Sequence, residues 1–289
     1  MTAQAAAPPE DLPGLSVIIP ANDEAETIGA CLSALLDSTL PRGMPVQVIV
    51  AANGCTDDTA ARARSVGGQA AARGWLLQVL DLPEGGKPGA LNAADAVASG
   101  PLRVYLDADV IVSPDLLVQI GRALAVDAPR WASGTVRIPR AQSRLTRAYA
   151  RIYRRVPFMT RGVPGCGLFA VNAAGRARWG AFPDVIADDT FVRLHFTPDE
   201  RIGLPASYDW PLVEGWANLV KVRRRQDAGV AEIARRFPEL LQRDDKPALG
   251  AGGMARLALS DPPGFAVYAG VALAVRATRH RRDGWSRGR

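Results

Sequence analysis

Apolar residues come in short unbroken runs early in the chain, each followed by a polar turn and a stretch of helical period. Leu15 to Pro20 is the first run, and a run without alternation reads as a strand buried on both faces. Ala21-Asn22-Asp23-Glu24 forms the turn after it. Ala25 to Leu36 then has helical periodicity, with acidic residues at its start where the helix dipole favours them. Val46 to Ala51 repeats the strand pattern, and Asn53 to Asp58 the turn with a helix cap. Trp75 to Leu80 and Leu102 to Leu106 are the third and fourth predicted strands; between them lie a loop, Pro83 to Gly89, and a helix, Ala90 to Ala98. Strand and helix alternating over short connections predicts βαβ units, hence an α/β fold with a mostly parallel central sheet flanked by helices.

Further along, Pro114 to Ala125 reads as a helix, Trp131 to Arg137 as an alternating strand, and Ser143 to Arg155 as a basic helix carrying Tyr149 and Tyr153. Gly162 to Val171 is a glycine-rich loop entering a strand. Gly264 to Val275 is apolar but shorter than the ~20 residues of a membrane span. Arg276, Arg279, Arg281, Arg282, Arg287 and Arg289 follow it. That tail reads either as an amphipathic segment lying on an anionic membrane or as a buried C-terminal helix with a basic end.

Charge narrows the partners. Lys and Arg exceed Asp and Glu by 35 to 29, with the excess late in the chain, which suits an anionic ligand or surface. No basic region is interleaved with stacking aromatics and no binding motif is present, so nucleic acid is not an expected partner. The cysteines, Cys31, Cys55 and Cys166, are odd in number, widely separated and without metal-ligand spacing. They point to a reducing cytoplasm, and the Ala/Pro-rich start lacks the pattern of a secretory signal. The expectation is a cytoplasmic protein, peripheral at the inner face of the membrane if the tail binds there.

The polar residues that follow the strands carry the chemistry. Ligands of parallel sheets bind at the carboxyl ends of the strands. Asn22-Asp23-Glu24, Asn53, Lys87 and the pair Asp107/Asp109 all fall at such ends. Residues i and i+2 of a strand share a face, so Asp107 and Asp109, with the small Ala108 between them, can reach one hard cation, Mg²⁺ or Mn²⁺. A plainer reading makes them an acidic turn ahead of the helix that follows Ser113-Pro114-Asp115. No G-x-G-x-x-G follows the first strand and no P-loop surrounds Gly86-Lys87, which excludes a dinucleotide-binding domain and an ATPase.

Four blocks in order carry a resemblance: S-V-I-I-P-A-N-D-E-A-E-T-I (Ser16 to Ile28), V-I-V-A-A-N-G-C-T-D-D-T (Val48 to Thr59), G-G-K-P-G-A-L-N (Gly85 to Asn92) and V-Y-L-D-A-D (Val104 to Asp109). The first ~110 residues resemble a family 2 glycosyltransferase of the GT-A fold. The resemblance implies a nucleoside-diphosphate sugar donor held by Pro20, Ala21, Asn22, Glu24 and Asn53, with Lys87 near the ribose and diphosphate. It implies that Asp107 and Asp109 place the metal, Mn²⁺ or Mg²⁺. Many relatives carry two acidic residues where this chain has Ala52-Asn53, which alters a contact to the base or ribose. Asn53 and Asn92 also read as caps or turns.

In the second half the resemblance puts Gly165, Cys166 and Gly167 under the sugar and acceptor, and aligns Asp188-Asp189 with an acidic pair. Asp189 takes the place of the general base that deprotonates an acceptor hydroxyl, giving inversion; the plainer reading has both aspartates favouring a helix start. Arg225 aligns with an arginine that closes over the diphosphate, and a solvated basic helix face is the alternative. Gln226 and Val222 replace residues of processive synthases, so single-sugar transfer is expected. The implied order is a disordered leader at 1–13, a nucleotide-sugar-binding half at 14–110, an acceptor-binding and catalytic half at 111–245, and a helical basic tail at 246–289. The implied function is a metal-dependent inverting transfer to an acceptor hydroxyl, lipid-linked or of a glycoconjugate precursor. A nucleotidyltransferase and a non-catalytic nucleotide-sugar-binding protein are the alternatives.

Overall fold

The structure, a computed structural model, describes residues 12–245 and 249–278. The leader, apart from Leu12 and Pro13, and the arginines from Arg279 onward therefore lie outside the described residues. Leu12 itself belongs to the core, packed against Gly121.

The first half runs β1 (Leu15–Ala21), α1 (Ile28–Leu36), β2 (Val46–Asn53), α2 (Thr59–Ser65) and α3 (Gly67–Ala72). β3 (Leu76–Leu82), α4 (Lys87–Val97) and β4 (Leu102–Leu106) complete it. Then come β5 (Ile111–Val112), α5 (Leu116–Leu124), β6 (Trp131–Arg137), α6 (Arg144–Tyr153), α7 (Pro157–Thr160) and β7 (Leu168–Val171). The chain continues through α8 (Ala173–Arg176), α9 (Asp188–Arg193), β8 (Arg201–Asp209), α10 (Trp216–Arg236), α11 (Ala251–Ser260) and α12 (Pro262–Ala277).

One eight-stranded sheet has the order β3-β2-β1-β4-β7-β6-β8-β5. β3, β2, β1 and β4 are parallel; β7 turns antiparallel on β4, and β6 on β7. The unbroken apolar runs do what the pattern requires. In β1, Leu15, Val17 and Ile19 enter one core while Ile18 enters the core on the other face. β2 divides in the same way, Val48 and Val50 from Ile49 and Ala51. Two-sided burial of this kind fixes the strand register, because a one-residue slip would exchange the faces.

Three boundaries depart from the sequence reading. α1 begins at Ile28, leaving Glu24 and Glu26 in the preceding turn, so no acidic residue occupies its first turn. α4 begins at Lys87, not Ala90, because Pro88 is tolerated in a first helical turn, where its missing N–H is not needed. β8 carried no strand signal, since Gly203 and Pro205 interrupt it. It pairs with β6 through a register shift at that point, where a proline is accommodated.

The C-terminal helix is a packed one. α12 lies on α6 and α10 with Gly264, Val271 and Val275 buried. Among the described residues no helix is long and apolar enough to cross a membrane.

Candidate active site

A cleft of about 790 Å³ opens at the carboxyl ends of β1, β2 and β4 and extends beneath α6, α10 and α12. Of the residues singled out in the sequence, Pro20, Asn22, Glu24, Asn53, Lys87, Asp107, Ala108, Asp109, Cys166, Gly167, Asp188, Asp189 and Arg225 line it. Ala21 and Gly165 do not. Ala21 is buried, and its carbonyl accepts from Asn53 Nδ2 at 2.9 Å. Gly165 lies against Trp131, where a Cβ would collide with the indole.

Asn53 and Asn22 turn out to be braces. The buried Asn53 amide donates to the Ala21 and Ala51 carbonyls, and its oxygen accepts from Gly86 N at 2.9 Å. Asn22 Nδ2 donates to the carbonyls of Asn53 and Gly54. Together they hold the ends of β1 and β2 against the start of α4, which aims Lys87 into the cleft. Asn92 is neither a cap nor a turn residue. Its amide bonds both backbone groups of Phe182, at 2.7 and 3.0 Å, and so ties α4 to the segment leading to Asp188. Glu24 is set by its own N–H, which donates to Thr59 Oγ1 at 2.6 Å.

β4 ends at Leu106, so Asp107 and Asp109 lie in the following turn. Their common orientation comes from that turn and not from the strand pleat. Asp107 N donates to the Gly167 carbonyl at 2.8 Å, and Val110 N to the Asp107 carbonyl at 3.1 Å. Gly167, at φ 74°, lets Trp210 come so close that a Cβ would lie 2.6 Å from the indole.

Lys87 joins the two halves of the site. Its Nζ lies 2.9 Å from Asp107 Oδ1 and 3.1 Å from Asp188 Oδ2. Burial alone would lower the lysine pKa, but Asp107, Asp188 and Asp189 reverse this and raise it, so it stays an ammonium. Burial pushes the Asp188 carboxyl up to about 6, with Lys87 opposing and Asp189 and Asp107 adding to the rise. Four carboxylates, Asp107, Asp109, Asp188 and Asp189, thus line the cleft, two of them paired with Lys87. Carboxylate oxygens are hard ligands, the donor set that suits Mg²⁺ or Mn²⁺.

Asp188 and Asp189 begin α9, so both stand at the helix start that favours carboxylates. They differ in burial. Asp188 is 5% exposed and committed to Lys87. Asp189 is half-buried, and its Oδ1 accepts from Thr190 N at 2.6 Å. His195 is packed on Phe191, with Nδ1 at the Phe191 carbonyl, away from this chemistry.

α10 packs on the chain that leads to this acidic pair, a contact that no local sequence pattern announces. Gly229 is where the helix presses on the chain before Asp188: a Cβ there would sit 2.9 Å from that of Ala187. Ile186 N donates to Glu232 Oε2 from the same segment. Arg223, Arg225 and Asp227 of α10 line the cleft, whereas Arg224 points away and donates to Thr278. Arg223 Nε is 2.8 Å from Asp227 Oδ1.

Sequence reasoning also gave no role to the aromatic residues of the cleft. Tyr149 and Tyr153 stack at 5.5 Å, Tyr149 meets Tyr268 at 5.4 Å, and Tyr153 meets Trp210 at 6.4 Å. The four-residue spacing of Tyr149 and Tyr153 on a helix was the one available signal. Cys31 and Cys166 are buried, which pushes both thiols up and leaves them unreactive. Among the described residues the one cluster of metal-type ligand atoms is Asp23, Cys55 and Asp57, within 4.8 Å of one another. The Asp23 and Asp57 carboxylates accept from Thr56 and from Ala25 and Thr59, knitting the β1 and β2 turns together.

A family model described as glycosyl transferase family 2 matches residues 16–171. Glucosyl-3-phosphoglycerate synthase of Mycolicibacterium paratuberculosis is 35% identical over 97 residues, which are 34% of this chain and 29% of that protein. The chain thus matches less than a third of that relative's length. A solved mannosyltransferase from Pyrobaculum calidifontis, in complex with GDP-Man and Mn²⁺, aligns with a TM-score of 0.58 at 24% identity, over 96% of this chain and 79% of that one. Glucosyl-3-phosphoglycerate synthase from Mycobacterium tuberculosis, with Mn²⁺, UDP and glucosyl-3-phosphoglycerate, aligns at 0.50 and 24% identity, over 78% and 80%. These structures share the α/β architecture described above.

Proposed function

The chain belongs to glycosyl transferase family 2, and from that premise we propose that it moves one sugar from a nucleoside-diphosphate sugar to an acceptor hydroxyl with inversion. The observation that carries this reading is the cleft that brings Asp107 and Asp109, after β4, together with Lys87 and the Asp188/Asp189 pair at the start of α9. Asp107 and Asp109 would hold Mn²⁺ or Mg²⁺, which supplies charge neutralisation for a departing diphosphate. Lys87 supplies a second positive charge to the same leaving group, and Arg225 lines the same cleft. Asp189 takes the proton of the acceptor hydroxyl. The oxygen then bonds to the anomeric carbon on the face opposite the leaving group, and the carbon–phosphate oxygen bond breaks. Asp188 stays ion-paired and holds Lys87 in place.

In this reading residues 14–110 form the donor half and 111–245 the acceptor half. The three free cysteines favour a reducing, cytoplasmic setting. Peripheral membrane contact would run through the segment after residue 246.

The test is thermal stability against nucleoside diphosphates and sugar nucleotides, with and without Mn²⁺. Selective binding raises the apparent melting temperature by mass action. The expected result is a Mn²⁺-dependent rise with one base, lost in Asp109→Ala and kept in Asp189→Ala. No shift with any nucleotide overturns the proposal.

A further inference from the structure

The cleft has two ends of opposite character. One holds the carboxylates and Lys87; the other is walled by Tyr149, Tyr153, Phe158, Trp210, Leu219 and Tyr268. These side chains come from α6, α7, α10, α12 and the loop after β8, and the same group forms the third hydrophobic cluster of the molecule. A wall of apolar groups gives water few hydrogen-bond partners. Its rings and aliphatic chains make better dispersion contacts with an apolar body than with water, so the chamber favours an apolar occupant.

Two further observations tie the chamber to the reaction. Trp210 rests on Gly167, whose carbonyl holds the Asp107 amide, so the aromatic wall begins beside the acidic turn. The buried guanidinium nearest these rings is already engaged: Arg223 is paired with Asp227 at 2.8 Å and hydrogen-bonded to Tyr268. A phosphorylated hydrophilic acceptor calls for uncompensated guanidinium or ammonium groups, and this wall instead offers rings and aliphatic chains.

We infer that the acceptor is amphipathic: a hydroxyl-bearing head presented to Asp189, with an apolar body seated among Tyr149, Tyr153, Trp210 and Tyr268. This rests on the transfer reading above and names the substrate class of the same cleft.

Calorimetric titration of the full chain with n-alkyl glucosides of increasing length, each below its micelle concentration, tests it. Binding is expected to tighten about threefold to fourfold per methylene while the chain stays inside the chamber. Phenyl and naphthyl glucosides form the second arm. Tighter binding of these than of alkyl chains of equal size assigns a flat ring, and the reverse assigns a flexible chain. Tyr268→Gln should flatten the dependence on length, with circular dichroism confirming that the variant is folded. A dissociation constant that does not change with chain length overturns the inference, as does tighter binding of 3-phosphoglycerate than of any alkyl glucoside. Nucleotide binding with Mn²⁺ is read separately, so its failure sinks the transfer reading, whereas a flat alkyl series sinks only this one.

Discussion

Two ionic clusters in this molecule are built on opposite plans. Around Lys87, Asp107 and Asp188 share one ammonium beside an open cleft that Asp109 and Asp189 also line. Around Asp245, two buried guanidiniums meet two carboxylates: Arg193 bonds Asp244 and Asp245 at 2.5 and 2.7 Å, and Arg201 bonds Asp245 at 2.5 Å. Arg201 gives its remaining donors to the carbonyls of Arg193, Phe196 and Arg243. The second cluster balances its charges and satisfies its donors, and it joins α9 and β8 to the chain before residue 246. The first keeps its carboxylates on the wall of a cleft, with Lys87 shared between Asp107 and Asp188. Carboxylates held on an open cleft suit a ligand site; guanidiniums and carboxylates buried against one another make a joint.

The comparison can be broken most directly at Asp189. Asp189→Asn should lower sugar transfer by roughly 10²- to 10⁴-fold, the usual worth of a positioned base, while the melting temperature barely moves. Transfer at wild-type rate, measured by release of nucleoside diphosphate, would remove the catalytic half of the contrast. Asp245→Ala should do the reverse. It leaves buried guanidiniums short of a counter-charge and should cost about 3–5 kcal/mol in urea unfolding, with no effect on nucleotide binding by the folded fraction.

Lys87→Met sharpens the charge argument. Without its ammonium the acidic cluster becomes more negative, so Mn²⁺ alone should bind roughly threefold to tenfold more tightly in a calorimetric titration. Nucleoside diphosphate should bind less tightly in the same variant. Weaker Mn²⁺ binding would show that Lys87 does not compete with the cation for these carboxylates.

The smallest effect is expected at a balanced pair elsewhere. Arg178 hydrogen-bonds Glu200 and holds its carboxyl down at about 2, against an ordinary 4.5. A depressed folded-state pKa contributes stability that is fully present above about pH 4.5 and lost as pH falls toward 2. Glu200→Gln should therefore reduce the slope of stability against pH in that window and lower stability modestly at neutral pH, where the ionised pair contributes in full, as followed by urea midpoints from acid to neutral pH.

The donor end of the cleft was legible because local sequence makes it. A buried strand must end in a turn, the turn is short, and its polar residues arrive at one edge of a parallel sheet whatever the rest of the chain does. Even there the sequence did not show how these residues are held. Asn53 and Asn22 read as ligand-binding residues and are largely consumed in bracing backbone. Asp107 and Asp109 reach the cleft, but from a turn, since the strand had already ended. The acceptor end was far less legible. Trp210 and Tyr268 are 58 residues apart in the chain and line the same cleft through packing that no local pattern announces.

By itself, then, the sequence determined the βαβ half, its buried strands and the acidic and basic groups at their ends, because periodicity and turn chemistry act within a dozen residues. Tertiary structure alone decided that Lys87 bridges Asp107 to Asp188 and that Asp189 is the more open of the acidic pair. It alone decided that the far wall is aromatic. Those outcomes depend on burial and on contacts between distant segments, and a side chain's charge state and exposure are set by what the fold packs around it.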